Sequence, residues 1–184
     1  MKMRMRKTSR MYLCLLMVAM LVAVAVPMNV SADAKYVPFK GDLDGSTVPR
    51  VDPDLERIEV SGKASHLGKY TAVVEFADDD IILDWSTYNP STGTIYATLS
   101  TMATFTAANG DELYADITLE GMFSLIAGNY PSFALSGTIT DGTGHFDGAS
   151  GSFTGSGGQT TVEGDDNDLI SGSFSGTIST VGSS

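Results

Sequence analysis

Apolar and polar side chains alternate with a period of two over most of this chain, the pattern of extended strands whose successive side chains point to opposite faces. Ile58, Val60, Gly62 and Ala64 share one face against Arg57, Glu59, Ser61 and Lys63, and Tyr70, Ala72, Val74 and Phe76 oppose Thr71, Val73 and Glu75. Ile81, Leu83 and Trp85 then oppose Ile82, Asp84 and Ser86. A long strand carries Ile95, Ala97, Leu99, Ala103 and Phe105 on one side. Its return puts Leu113, Ala115, Ile117 and Leu119 inward, with Tyr114, Asp116, Thr118 and Glu120 outward. Leu135, Gly137 and Ile139 oppose Ser136, Thr138 and Thr140, and in the last strand Ile170, Gly172, Phe174, Gly176 and Ile178 alternate with serine and threonine. Tyr36 to Asp42 reads as a first strand, with Pro38 placing it at an edge or a bend. Asp44 to Pro53, with two prolines and charge on both sides, reads as a loop. Met122 to Pro131 is apolar without a clear period, compatible with a short helical turn or a plug over one end of a barrel.

The turns fix how these strands join. Asp78-Asp79-Asp80 is a turn, and Asn109-Gly110 signals a hairpin. A two-residue turn there would set odd-numbered Phe105 opposite even-numbered Tyr114 and throw one apolar face outward. The loop must therefore be odd-numbered: three residues with Gly110 left-handed place Phe105 opposite Leu113 and Leu99 opposite Leu119. About eight strands at hairpin spacing, with no amphipathic helical stretch, predict an all-β fold, a closed antiparallel barrel of about eight strands. Glycine alternating with Phe or Ile on an inward face suits the wall of a tight, tapering barrel. The outward Ser and Thr are ordinary strand formers on a wet face.

The stretch from Ile139 to Gly155 breaks the alternation. Phe146 reverses the parity of Leu135, Gly137 and Ile139, and Ala149, Gly151 and Phe153 restore it, so Asp141 to Gly148 must be an irregular turn that resets the register. Gly142, Gly144 and Gly148 supply the positive φ angles of such a turn, and Phe146 caps the barrel end. This Gly-Thr-Gly-x-Phe-x-Gly-Ala-x-Gly turn between two strands resembles the allene oxide cyclase and dirigent group of eight-stranded, calycin-like barrels. Ala64-Ser65-His66-Leu67-Gly68 and Phe105-Thr106-Ala107-Ala108-Asn109-Gly110-Asp111 resemble its secreted bacterial members. The resemblance covers roughly the last two-thirds of the chain and lies in a structural motif. It carries over no catalytic residue and no activity.

The N-terminus sets the compartment. Lys2, Arg4, Arg6, Lys7 and Arg10 form a basic region, Met11 to Val26 an apolar run of 16 residues, and Val30-Ser31-Ala32 a small-residue cleavage site. This is the layout of a secretory signal peptide, and the run is short of the roughly 20 residues that span a bilayer. Removal of 1–32 leaves 152 residues, read as an N-terminal strand and loop (33–54) followed by the barrel domain (55–184). The only cysteine, Cys14, leaves with the signal, which excludes disulfides and thiol chemistry from the exported chain. All 22 acidic residues remain against six basic ones, a formal charge of −16. Such a surface repels nucleic acid and anionic membrane. The expected location is secreted or periplasmic, with no membrane insertion after cleavage.

Candidate chemistry is sparse. The inward faces carry no charge, so Glu59, Glu75, Asp84, Asp116 and Glu120 all point outward and the lumen is apolar. A general acid or base would need a concave, partly dry site, and no catalytic residue is assigned. Tyr70, Trp85, Tyr96 and Tyr114, with Asn129, are candidates to orient a ligand near the barrel mouths. His66 and His145 read as exposed turn residues, and His145 as dispensable. Asp165, Asp166 and Asp168, in the run Glu163-Gly164-Asp165-Asp166-Asn167-Asp168, are candidate calcium ligands without the spacing of the helix-loop-helix calcium motif. No other cofactor is implied. The reading is a binding or surface-interaction module, non-catalytic, for an apolar small molecule or an extracellular component. Two alternatives remain: a cyclase- or isomerase-like barrel acting on a hydrophobic substrate, and a calcium-assisted adhesive or matrix protein.

Overall fold

The strands predicted from the alternation are present and wrap into a single curved sheet. The computed structural model describes residues 35–48, 55–161 and 168–179. The proposed signal peptide and the acidic run as far as Asn167 lie outside the described residues. Nine strands are described: β1 Tyr36–Val48, β2 Glu56–Ala64, β3 Gly68–Phe76, β4 Ile81–Asn89, β5 Thr94–Ala107, β6 Glu112–Ser124, β7 Asn129–Gly142, β8 Gly151–Thr161 and β9 Asp168–Ser179. Every pairing is antiparallel, in the order β3-β2-β1-β9-β8-β7-β6-β5-β4, and β3 also pairs with β5. That last pairing closes a barrel of eight strands and leaves β4 outside it.

β1 differs from its sequence reading. Asp44 to Val48 continue the strand, paired to β2 on one side and, through Ser46, to β9 on the other. The polar residues that suggested a loop lie on a strand whose neighbours satisfy the backbone. Pro38 pairs with Thr177 of β9, but β2 stops at Ala64 opposite Gly41, so the missing N–H faces no partner strand there.

β3 and β4 share one side of β5. β3 covers Ala103 to Ala107 of β5, and β4, after a one-turn helix at Asp78–Asp80, covers Thr94 to Leu99. Ile81 and Leu83 are half-buried, and every residue of β4 after Leu83 is exposed, because the strand has passed the end of the barrel. Trp85 is therefore 65% exposed, with its ring 6.1 Å from that of Tyr88.

The hairpin between β5 and β6 takes the three-residue form. Phe105 pairs with Leu113 and Leu99 with Leu119, the Ala107 N–H donates to the Asp111 carbonyl, and Gly110 has φ +88°. At the other end Met122 to Pro131 holds a single uncontinued helical turn between two strands. β6 runs on to Ser124, a four-residue turn closes with the Gly128 N–H donating to the Ser124 carbonyl at 2.7 Å, and β7 begins at Asn129.

Glu59, Glu75, Asp84, Asp116 and Glu120 are all exposed, as the parity requires. Inward, two different fillings divide the barrel. Phe39, Phe105, Phe153, Phe174 and Tyr70 meet with ring centroids 5.1–6.5 Å apart and plug one half. Each of three phenylalanines lies across from glycine: Phe39 opposite Gly176, Phe153 opposite Gly137, Phe174 opposite Gly41. A Cβ at Gly137 would sit 2.2 Å from Cζ of Phe153, so the missing side chain makes the room that the ring fills.

Candidate functional site

The two ends of the barrel are built from different turns. At the plugged end the glycine turn folds over the opening. Phe146 is 6% exposed and is held by its N–H bond to the Thr143 carbonyl and by the Ala149 N–H bond to its own carbonyl. Gly144 and Gly148 have φ +58° and +69°, as expected. Gly142 does not. It ends β7 in extended conformation, and a Cβ there would lie 2.5 Å from Cβ of Phe146, so this position needs space rather than a positive φ. The register reset also starts earlier than the sequence indicates. Tyr114 pairs with Asp141 but Ala115 with Ile139, so a bulge at Thr140 has already turned Gly142 inward. Gly151 lies against β9, where a Cβ would stand 2.2 Å from the Thr177 carbonyl oxygen.

Asp111 stitches this end together. Its carboxylate accepts from the His145 ring, from the His145 backbone N–H at 3.1 Å and from Asn109 Nδ2 at 2.7 Å, joining the β5–β6 hairpin to the glycine turn. These bonds, that of the His145 side chain foremost, hold the Asp111 carboxyl below its ordinary pKa. Because the folded value is the lower one, the stabilisation is fully present above the usual carboxylate range and is lost as the pH falls through the lowered value. The melting temperature of the wild type should therefore drop below about pH 4, and Asp111→Asn should flatten that drop. Parallel acid profiles for the two proteins would contradict this role. The His145 side chain is 82% exposed. His66, also exposed at φ +72°, places Nε2 3.2 Å from the Pro38 carbonyl in the same shallow depression. Among the described residues no three His, Cys, Asp or Glu side chains gather as a metal site.

The other half of the barrel is hollow. A cavity of 290 Å³ runs from the Phe105 and Phe153 rings towards the opposite end. Its wall is apolar, with Leu43, Val60, Val74, Leu99, Ile117 and Ile170 contributed by β1, β2, β3, β5, β6 and β9. Among the described residues, the polar ones lining it are Thr47, Glu56, Asp78, Tyr130 and Gln159. Glu56 is half-buried and Asp78 exposed, which puts both carboxylates at the rim.

None of the four aromatic candidates lines this cavity. Tyr70 is 3% exposed in the plug, its hydroxyl donating to the Asp42 carbonyl at 2.6 Å, and burial first, then the Asp42 charge, raises its pKa. Tyr96 and Tyr114 stand on the outer face, where they donate to Glu120 and Glu112, and Trp85 lies on the projecting β4. Asn129 is buried with Nδ2 donating to Thr161 Oγ1 at 2.7 Å. Of the calcium candidates, Asp165 and Asp166 lie outside the described residues, and Asp168 opens β9 with its N–H donating to Thr47 Oγ1 at 2.8 Å.

The residue missed in the sequence is Tyr130. It is 5% exposed, its ring lies 5.1 Å from that of Phe123 at 66°, and its N–H donates to Gln159 Oε1 at 2.6 Å. Its hydroxyl is buried and has no hydrogen-bond partner among the described residues, and burial pushes its pKa up to about 12. By the parity of Phe133 and Leu135 an even-numbered residue points outward. The pairing slips by one between Met122 with Ser132 and Ser124 with Asn129, and the slip turns Tyr130 inward.

No family model and no curated protein matches the chain. Among solved structures it is similar to a dirigent protein, a pterocarpan synthase, at 12% identity over 85% of this chain and 95% of that one, with a TM-score of 0.37.

Proposed function

We propose that the protein is an exported, non-catalytic binding module that holds a small apolar molecule in the hollow half of its barrel. The observation that carries this reading is the uneven filling. Protein interiors are close-packed, and an apolar void forgoes the contacts its walls could make. Five aromatic rings meet in one half, while the other half keeps 290 Å³ with an apolar wall. A core selected for stability alone would close that space with the larger side chains used a few residues away.

The chemistry of the wall supports binding over turnover. Among the described residues neither histidine lines the cavity, the two carboxylates that do sit at the rim, and Tyr130 stays protonated at neutral pH. Export follows from the N-terminal layout, and the exported chain is expected to begin at Asp33, a mass that intact-protein mass spectrometry reads directly. In calorimetry the exported protein should bind 2-isopropenylnaphthalene, a hydrocarbon probe, saturably and one to one, with the negative heat-capacity change of apolar burial. Absence of saturable heat at the probe's solubility limit would count against the proposal.

A further inference from the structure

We infer that the projecting part of β4 is a docking surface for an arginine-bearing segment of another protein, with the guanidinium stacked on the Trp85 ring beside the Asp84 carboxylate. This surface is separate from the cavity, whose lining includes none of Ile82, Asp84, Trp85 and Tyr88. Among the described residues β4 is the one strand paired along a single side, since the β3–β5 pairing closes the barrel without it. Its side chains are nonetheless large and apolar: Ile82, Trp85 and Tyr88 are all exposed, and Trp85 is the only tryptophan in the chain. Several large apolar groups gathered on one exposed strand mark an interaction site rather than an ordinary wet face, and Trp and Tyr are residues that interfaces favour.

The strand is built to hold these rings out. Its pairing with β5 is interrupted between Asp84 and Asn89. There the Thr87 hydroxyl takes the place of the ladder, accepting the Tyr96 N–H at 2.8 Å and donating to the Asp84 carbonyl at 2.7 Å. Asp84 Oδ1 accepts the Ser86 N–H at 3.0 Å and the Ser86 hydroxyl at 2.6 Å. The bulge so fixed sets the Trp85 and Tyr88 rings side by side, and a surface already ordered loses little freedom on docking. Charge names the partner. No Lys or Arg follows Lys69, and residues 78–107 carry no basic side chain against Asp79, Asp80 and Asp84. A cation is drawn to such a region, and a guanidinium over an exposed indole gains the cation–π attraction as well. The surface is open and runs along the strand, so it suits an extended chain and not a small molecule, which needs a concave site. A second copy would bring the same acidic stretch against itself.

Trp85 reports on its own docking, because no other tryptophan contributes to the emission. The probe is acetyl-Arg-Val-Arg-Val-Arg-amide, titrated into the exported protein at physiological salt and followed by tryptophan fluorescence and by calorimetry. The emission should shift saturably, and the matched acetyl-Glu-Val-Glu-Val-Glu-amide should leave it unchanged. Trp85→Ala removes no charge, so it separates the ring from general attraction to an acidic protein. It should weaken the arginine peptide roughly 2- to 30-fold in calorimetry, the range from exposed to desolvated cation–π contacts. Tyr88→Ala, which removes the neighbouring exposed ring, should weaken it in the same direction. Unchanged affinity in both variants means that net charge alone holds the peptide; that result, or an unshifted wild-type emission, overturns the inference. So does a concentration-dependent dimer of the wild type that Trp85→Ala dissolves, since the occupant is then a second copy. Each of these results leaves the cavity reading standing.

Discussion

Phe146→Ala is expected to lower the unfolding free energy by about 3–5 kcal/mol, the cost of emptying a buried phenylalanine site, while His145→Ala changes it by less than about 1 kcal/mol. The two residues are adjacent, so the contrast isolates orientation. The Phe146 ring turns into the barrel end at 6% exposure, and a Cβ at Gly142 would meet its own Cβ. The His145 side chain turns outward and makes an exposed contact with Asp111, whose bond to the His145 backbone N–H survives the substitution. Equilibrium urea unfolding of the two variants decides the matter. Comparable losses would mean that the histidine, not the ring, holds the turn.

Phe153→Ala should be as damaging, at roughly 3–5 kcal/mol, and for an additional reason. Its ring is 2% exposed, touches those of Phe39, Phe105 and Phe174, and covers Gly137 across the strand pair. It also forms part of the cavity floor, so removing it merges a new void with an existing one and leaves little for neighbouring side chains to collapse onto. The loss should fall at the upper end of that range. A loss below about 1 kcal/mol would mean that the aromatic plug does not hold the barrel closed.

Much of this architecture is legible in the alternation of side chains, because one buried face ties each strand's register to its pattern. The inward positions of β2, β3, β5, β6 and β9 follow the two-residue period, and parity alone requires the odd-numbered loop that Ala108, Asn109 and Gly110 form. What the period cannot show is where it slips. The bulge at Thr140 turns Gly142 inward and the slip opposite Met122 to Ser124 turns Tyr130 inward. Each depends on pairing with β6, which no local pattern encodes. Trp85 illustrates a second limit. It shares a parity with Ile81 and Leu83, but the barrel wall ends before it, so its inward-type face meets solvent. The length of β1 was hidden for a related reason: Asp44 to Val48 are polar or half-buried residues whose strand character comes from the neighbours on both sides.

The central claim is that the hollow half of the barrel is a binding site, and filling it tests that claim most directly. Ala103 lies on β5, 1% exposed, in the cavity wall. In Ala103→Phe the added ring enters the 290 Å³ space instead of displacing a packed neighbour, so the variant should keep or exceed the wild-type melting temperature. Titration of 2-isopropenylnaphthalene into both proteins should give saturable one-to-one heat for the wild type and none for Ala103→Phe. Equal binding to the two proteins, with both folded, would place the ligand somewhere other than the barrel interior and contradict the account.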